Sequence, residues 1–183
     1  LEAYGRSGRG HVPRPFRPEG GDAALAAVPS LDGPLRDLVY GAASCSPYLA
    51  GLIVQEAAWL PDALEECDIA LRDALTPPEG DLDTLKPLLR RAKRRVALLA
   101  GLADLAGAWE LEQVTDALTQ LADMACDVTL GAALDHQVRR GKLPGRDVGL
   151  FVLAMGKMGA YELNYSSDID LICLFDETRH DPG

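Results

Sequence analysis

The chain has 183 residues, of which 48% are hydrophobic and 25% are charged, and its formal net charge is −10. This composition is typical of a globular protein, and the length allows one large domain or two small ones. An acidic surface would repel a nucleic-acid backbone, and no apolar run approaches the roughly 18 residues that a membrane span needs. We therefore predict neither nucleic acid nor membrane as a partner and, since no apolar signal peptide begins the chain, a cytoplasmic location.

The first segment, residues 1–22, is rich in glycine, proline and arginine and has hardly any apolar side chains. Such a segment cannot bury enough surface to fold, so we predict a disordered tail. The absence of Met at position 1 suggests a fragment or a wrongly assigned start.

A helical domain is predicted for residues 23–145. Between residues 31 and 141 Ala and Leu are abundant and β-branched residues are sparse, which favours helices. The breaks between helices are predicted at Ser46-Pro47, Leu60-Pro61, residues 76–80 and Gly141. Apolar residues recur at three- or four-residue steps over residues 112–139, which predicts one long amphipathic helix there.

A basic segment, residues 86–95, holds six Lys and Arg residues within this acidic chain. We favour a solvated helix face paired with acidic neighbours at i,i+4 spacing, and a patch for phosphate or an acidic partner is the alternative. Trp59 and Trp109 lie beside apolar runs and are expected to contact the core. The cysteines are widely spaced and are predicted to be reduced core thiols: Cys45, Cys67, Cys126 and Cys173.

The helical pattern ends at residues 141–145, and two apolar runs of strand length follow at residues 148–155 and 169–175. The twelve residues G-K-M-G-A-Y-E-L-N-Y-S-S lie between them. They predict a tight glycine turn, a short helix over about residues 160–163, and a loop. We place a domain boundary near residue 145 and a second domain at residues 146–183.

Two carboxylates begin the second predicted strand. Because side chains at i and i+2 of a strand share a face, Asp168 and Asp170 should project together, and burying them unpaired would be costly. A divalent cation would relieve this, and Mg²⁺ fits best because it binds a few carboxylates together with phosphate oxygens. Gly156 and Gly159 would let a phosphate approach the free N–H groups at the start of the short helix. This arrangement is the one that nucleotidyl transfer requires.

The signature segment, residues 156–172, has the sequence G-K-M-G-A-Y-E-L-N-Y-S-S-D-I-D-L-I. It resembles the nucleotidyltransferase signature of the bifunctional glutamine synthetase adenylyltransferase/adenylyl-removing enzyme family. Residues 46–64 and 89–105 are similar to segments that precede the signature in that family, so the resemblance covers most of residues 31–177. It implies an α+β fold: a mainly helical region followed by the start of a polymerase-β-like nucleotidyltransferase domain with a mixed sheet.

The signature is most similar to that of the family's N-terminal half, which implies removal of AMP from glutamine synthetase. Orthophosphate would attack the adenylyl group on a tyrosine of the synthetase, releasing ADP and the unmodified enzyme. The implied cofactor is Mg²⁺, and the implied substrates are a nucleotide (ATP or ADP) and orthophosphate. The implied partners are glutamine synthetase and the nitrogen-regulatory signal protein. The half that would use ATP to add AMP is not contained in these residues.

The resemblance also implies roles for individual residues. Asp168 and Asp170 become the catalytic residues and magnesium ligands. The nucleotide- and phosphate-binding residues become Gly156, Lys157, Gly159 and Ser167. For Ser167, capping of the loop is an equal alternative to phosphate binding. For Lys157, a solvated side chain is an equal alternative.

Other positions of the signature segment are expected to differ in role or to depart from the family. Glu162 and Asn164 are expected to fix the loop. Ala160 and Tyr161 stand where the family has glycine and arginine, and alanine is compatible with the turn if its φ is negative. The superfamily takes a third carboxylate from a later strand, beyond Gly183, so we predict weak metal binding and no catalytic competence for this chain alone.

Two alternatives stay open, and a third, nucleic-acid end modification by a polymerase-like member of the superfamily, is disfavoured by the acidic charge. One is the related uridylyltransferase of the nitrogen-regulatory signal protein, which also has a glycine turn before S-D-I-D-L. Gly156, Lys157 and residues 162–165 favour the glutamine synthetase enzyme over it. The other is a non-catalytic helical interaction module in which the two aspartates are vestigial.

Overall fold

The computed structural model describes residues 11–179, which form a set of helices followed by a two-stranded antiparallel sheet. The helical region comprises α1 (Pro18–Ala27), α2 (Gly33–Cys45), α3 (Pro47–Gln55), α4 (Leu60–Glu65), α5 (Cys67–Ala74), α6 (Leu82–Leu105) and α7 (Leu111–Arg139). The remaining elements are β1 (Leu150–Ala154), α8 (Gly156–Gly159), β2 (Leu171–Phe175) and a 3-10 turn (Glu177–Arg179). The described chain is thus mainly helical with a small sheet, in agreement with the predicted α+β class.

The structure contradicts the prediction of a disordered tail for residues 11–22, while residues 1–10 lie outside the described part. From His11 onwards the chain packs on the helices, and the backbone N–H of His11 donates to the Ala106 carbonyl at 3.1 Å. α1 lies against α2 and α3. A Cβ on Gly20 would lie 2.6 Å from the carbonyl oxygen of Ala43 in α2. The glycines that suggested disorder therefore permit a close helix contact.

The helix starts follow local signals. Pro47 and Pro61 stand in the first turns of α3 and α4, where a missing N–H costs nothing. The Asp81 carboxylate caps α6 by accepting from the Thr84 N–H at 2.9 Å. The predicted breaks are confirmed, and three more occur at residues 28–32, at Glu66 and at residues 106–110. The break at Glu66 has no proline or glycine to signal it.

The main core cluster contains residues from each of the helices α1 to α6. A second cluster joins α6 and α7 to the segment beyond them. The long helix predicted over residues 112–139 is confirmed, and its apolar stripe is buried or half-buried. Trp59 and Trp109 pack against the core, as predicted. Of the cysteines, Cys67 is buried but Cys45 and Cys173 are exposed, so the core prediction was wrong for those two. No helix in residues 11–179 is long and apolar enough to span a bilayer.

The sheet pairs β1 with β2 so that Val152 lies opposite Cys173. Every residue of β2 is exposed, whereas β1 alternates between half-buried and exposed positions. The prediction that the second strand is buried was therefore wrong for the described chain. Asp168 and Asp170 also lie just before β2, in the loop, not within the strand. Because both carboxylates are exposed, the argument that their burial requires a cation does not apply to the described chain.

Candidate functional site

The glycine turn lies directly beside one of the two aspartates. The N–H of Met155 donates to the carbonyl oxygen of Asp170 at 2.9 Å, which holds the end of β1 against the start of β2. Gly156 has a φ of 55°, a conformation that favours glycine. A Cβ at Gly156 would lie 3.7 Å from Oδ2 of Asp170. The structure thus brings the turn and this carboxylate together.

The second glycine is required by packing. A Cβ on Gly159 would lie 2.4 Å from the carbonyl oxygen of Ala154, much closer than real Cβ atoms approach. The short helix is this same stretch, α8, and not residues 160–163 as predicted. It ends at Gly159 and is followed by Ala160, whose φ of −89° is ordinary for alanine, so the departure from the family's glycine is tolerated here.

The other departure, Tyr161, forms a link to the helical region. Its φ of 59° is unusual for a residue that is not glycine. Its hydroxyl donates to Oδ2 of Asp123 on α7 at 3.1 Å. This hydrogen bond to a carboxylate, the largest of several causes, raises the pKa of Tyr161. The sequence offered no signal for Asp123 because its partner lies 38 positions away.

Asn164 organises the loop that carries the two serines. Its Oδ1 accepts from the backbone N–H of Ser166 at 3.1 Å and from the hydroxyl of Ser167 at 2.9 Å. The Ser167 hydroxyl in turn accepts from the N–H of Asn164 at 3.3 Å. The predicted loop-fixing role of Asn164 matches this geometry, and Ser167 has the capping contacts of its alternative role. Lys157 and Glu162 have exposed side chains, and the backbone N–H of Glu162 donates to the carbonyl of Lys157 at 2.8 Å.

Two buried side chains anchor the signature segment to the helical region. Met158 is 3% exposed and Leu163 is 4% exposed, and both belong to the cluster that contains Val96 of α6 and Leu118 of α7. Burying a side chain of this size contributes about 1.5–3 kcal/mol. The position of the aspartates relative to α6 and α7 is therefore set by core packing.

A cavity of about 540 Å³ lies between the signature segment and the helical region. Asp168 and Tyr165 line it from the signature segment, and Tyr48, Arg90 and Lys93 line it from the helices. Burial is the main cause that raises the pKa of Tyr165 well above its usual value. Asp168 therefore lines a partly apolar space that Arg90 and Lys93 also line.

The carboxylates fit part of a magnesium site. Asp168 and Asp170 are both exposed, and two carboxylates with phosphate oxygens and water make a donor set that Mg²⁺ accepts. Within residues 11–179 no group of three or more His, Cys, Asp or Glu side chains is placed to hold a metal. The described chain thus offers two carboxylates for an ion that would need further ligands.

Two of the six cations of the basic segment, Arg94 and Arg95, have a structural role. Arg94 Nε lies 2.6 Å from Oε1 of Glu56, and Arg95 Nε lies 3.0 Å from Oε2 of the same carboxylate, which is only 5% exposed. The Arg95 guanidinium also lies 4.5 Å from the centroid of the Trp59 ring. These contacts join α6 to the end of α3, so the predicted i,i+4 pairing was wrong for these two arginines.

The comparisons with known proteins agree with the signature. Residues 38–182 match the family model described as glutamate-ammonia ligase adenylyltransferase. A relative from Bradyrhizobium sp. (strain ORS 278), named "bifunctional glutamine synthetase adenylyltransferase/adenylyl-removing enzyme", is 44% identical over an alignment that covers 81% of this chain and 17% of that protein. A relative of the same name from Caulobacter vibrioides is 41% identical, with 69% of this chain and 14% of that protein covered.

A further relative of that name, from Bradyrhizobium sp. (strain BTAi1 / ATCC BAA-1182), is 42% identical over 79% of this chain and 16% of its own length. The chain therefore spans about one sixth of the length of these curated relatives. No solved structure gives a significant match. Because the family model covers most of the chain and the relatives are over 40% identical to it in the aligned regions, the chain belongs to the glutamate-ammonia ligase adenylyltransferase family.

Proposed function

We propose that this chain contributes the helical region and the first part of the catalytic centre to a nucleotidyltransferase that removes AMP from a tyrosine of glutamine synthetase. The observation that carries the proposal is the position of the Asp170 carboxylate beside the glycine turn at Gly156. A turn with no side chain next to a carboxylate lets a phosphate and a cation approach the same point. The sheet would continue as a polymerase-β-like domain.

The proposed reaction is a phosphorolysis. An oxygen of orthophosphate forms a bond to the phosphorus of the adenylyl group, and the bond from that phosphorus to the tyrosine oxygen breaks. The tyrosine oxygen takes up a proton, and the products are ADP and the free tyrosine. When bound, Mg²⁺ would neutralise charge on the phosphoryl oxygens.

The residues of this chain have distinct tasks in that reaction. Asp168 and Asp170 would hold the ion, and Gly156 and Gly159 would give the phosphate access to the backbone. Lys157 would add a positive charge at the turn, and Ser167 would hold the loop in shape. A third carboxylate would come from outside these residues, and we expect the chain alone to bind metal weakly and to be inactive.

The names of the relatives favour this function over uridylyl transfer, since they refer to glutamine synthetase adenylyltransferase. Stronger binding of UTP than of ATP by a protein that contains this chain in full would reverse that preference. We also propose the nitrogen-regulatory signal protein as a second partner. An interaction module without catalysis would show no change in melting temperature with magnesium and nucleotide.

The test replaces the two aspartates in a protein that contains this chain in full. Asp168→Asn and Asp170→Asn should each abolish orthophosphate-dependent release of ADP from adenylylated glutamine synthetase, because the metal loses a ligand. Asp83→Asn, on the exposed side of α6, is the matched control and should keep the activity. If both aspartate variants stay active while folded, the proposed function is wrong.

A further inference from the structure

Two cations of the basic segment face the cavity beside Asp168. Arg90 and Lys93 are three residues apart on α6, a spacing that places both on one side of a helix. Both line the cavity of about 540 Å³ that Asp168 also lines. Within residues 11–179 neither forms an ion pair, whereas Arg94 and Arg95 are both bound to Glu56. The structure thus leaves these two charges available to a ligand.

The rest of the cavity is largely apolar. Its wall is formed by Leu89, Leu118, Leu121, Ala125 and Leu163, and Tyr48 and Tyr165 add aromatic rings. Small-molecule sites commonly have this composition, with an apolar wall and a few convergent polar groups in about 300–1,000 Å³. Such a cavity suits a ligand that has a planar ring and an attached anionic group.

The charges indicate which anion. An arginine offers a planar set of donors that matches phosphate oxygens, and a lysine adds a mobile point charge. If their role were only to neutralise Asp168, an ion pair with it would be expected, and none forms among the described residues. The chain carries a net charge of −10, so two cations that line one cavity provide a local site for an anion.

We propose that this cavity binds an adenylate group, with Arg90 and Lys93 holding its phosphate and the apolar wall holding its purine ring. The inference rests on the proposed function and extends the nucleotide site from the signature segment onto α6 of the helical region. The adenylate group could be that of free ADP or that carried by the tyrosine of the synthetase, and the two assays below separate these sources.

The first assay measures ADP binding to the 183-residue chain by titration calorimetry in the presence of magnesium. Arg90→Ala and Lys93→Ala should each weaken ADP binding by about tenfold or more, the usual effect of losing a hydrogen bond to a charged group. Ala125→Phe should weaken it too, because the ring fills the cavity. Arg91→Ala is the control, since Arg91 is on the same helix but lines a separate cavity of about 80 Å³.

Several outcomes would overturn the inference. It fails if the wild-type chain does not bind ADP, or if folded Arg90→Ala, Lys93→Ala and Ala125→Phe variants bind ADP as the wild type does. It also fails if Arg91→Ala weakens binding equally, because a general loss of charge would then be the cause. Circular dichroism checks that each variant is folded, and Arg90→Lys should recover part of the affinity.

The second assay measures phosphorolysis by a protein that contains this chain in full. Arg90→Ala and Lys93→Ala should raise the KM for adenylylated glutamine synthetase with a smaller effect on kcat. Weaker association with the synthetase but unchanged ADP binding would make these residues a docking surface and overturn the inference. An inactive wild type whose ADP binding depends on both residues would refute the proposed function alone. An active wild type with unchanged variants would refute only this inference.

Discussion

Glu56 is a buried carboxylate shared by two arginines, and its replacement by alanine should destabilise the helical region. Nε of Arg94 lies 2.6 Å from one oxygen and Nε of Arg95 lies 3.0 Å from the other. The Glu56 side chain is 5% exposed, while those of Arg94 and Arg95 are 34% and 27% exposed. Glu56→Ala therefore removes the carboxylate that pairs with both cations, and Arg95 keeps only its contact with the Trp59 ring among the described residues.

The size of the effect follows from these exposures. A hydrogen bond to a charged group contributes about 1.5–3 kcal/mol, and breaking a fully buried ion pair costs about 3–5 kcal/mol. Because both arginines keep contact with water, they can be rehydrated in part, and the cost should fall below that of a fully buried pair. We expect Glu56→Ala to lower the free energy of unfolding by about 2–3 kcal/mol. Glu56→Gln keeps one acceptor and should lose about half as much.

The measurement is urea unfolding of the 183-residue chain followed by circular dichroism, with thermal unfolding as a second readout. A loss of 2–3 kcal/mol corresponds to a fall in Tm of roughly 4–12 °C for a chain of this size. Asp83→Ala is the matched control, because it removes the exposed pair with Lys86 and should cost about 1 kcal/mol or less. A Glu56→Ala variant within about 0.5 kcal/mol of the wild type would refute the reasoning, since that is the range of ordinary surface substitutions.

Three further changes test the anchoring of the signature segment. Gly159→Ala should lower Tm, because its Cβ would lie 2.4 Å from the Ala154 carbonyl oxygen. Gly51→Ala is the control and should not lower Tm, because a Cβ there meets nothing within 4 Å. Equal shifts in Tm would contradict the contact at Gly159. Leu163→Ala should lower the free energy of unfolding by about 2–5 kcal/mol and increase hydrogen exchange in the signature segment more than in α1 to α4. A uniform increase in exchange would contradict local anchoring. Since burial raises the pKa of Tyr165, the hydroxyl is deprotonated at lower pH in the unfolded chain than in the folded chain, and stability should fall as pH rises above about 10. Tyr165→Phe should flatten this decline when the free energy of unfolding in urea is measured against pH. An unchanged slope would contradict the prediction.

The helices were predictable because their signals are local. A proline in the first turn, a capping side chain and an apolar stripe each act within a few residues, and α7 agrees with its stripe almost end to end. Residues 11–22 were not predictable in this way. Gly20 has a meaning only once Ala43 lies against it, and composition alone does not contain that contact.

The candidate site was predictable in its residue types and only partly in its geometry. The spacing from Gly156 to Asp170 indicated a turn and carboxylates that meet, and the structure brings these two residues together. It did not indicate that β2 would be exposed or that the short helix would be α8. Those details depend on which neighbours cover the sheet and on where the backbone first closes a helical hydrogen bond.

The sequence by itself determined the family, the long helices and the residues of the signature segment, because each is encoded in adjacent or regularly spaced positions. Only the tertiary structure decided what the basic segment does. Arg94 reaches Glu56 across 38 positions, while Arg90 and Lys93 line the same cavity as Asp168. The physical reason is that helix packing, anchored by buried residues such as Leu163, decides which distant side chains meet, and spacing along the chain does not record it.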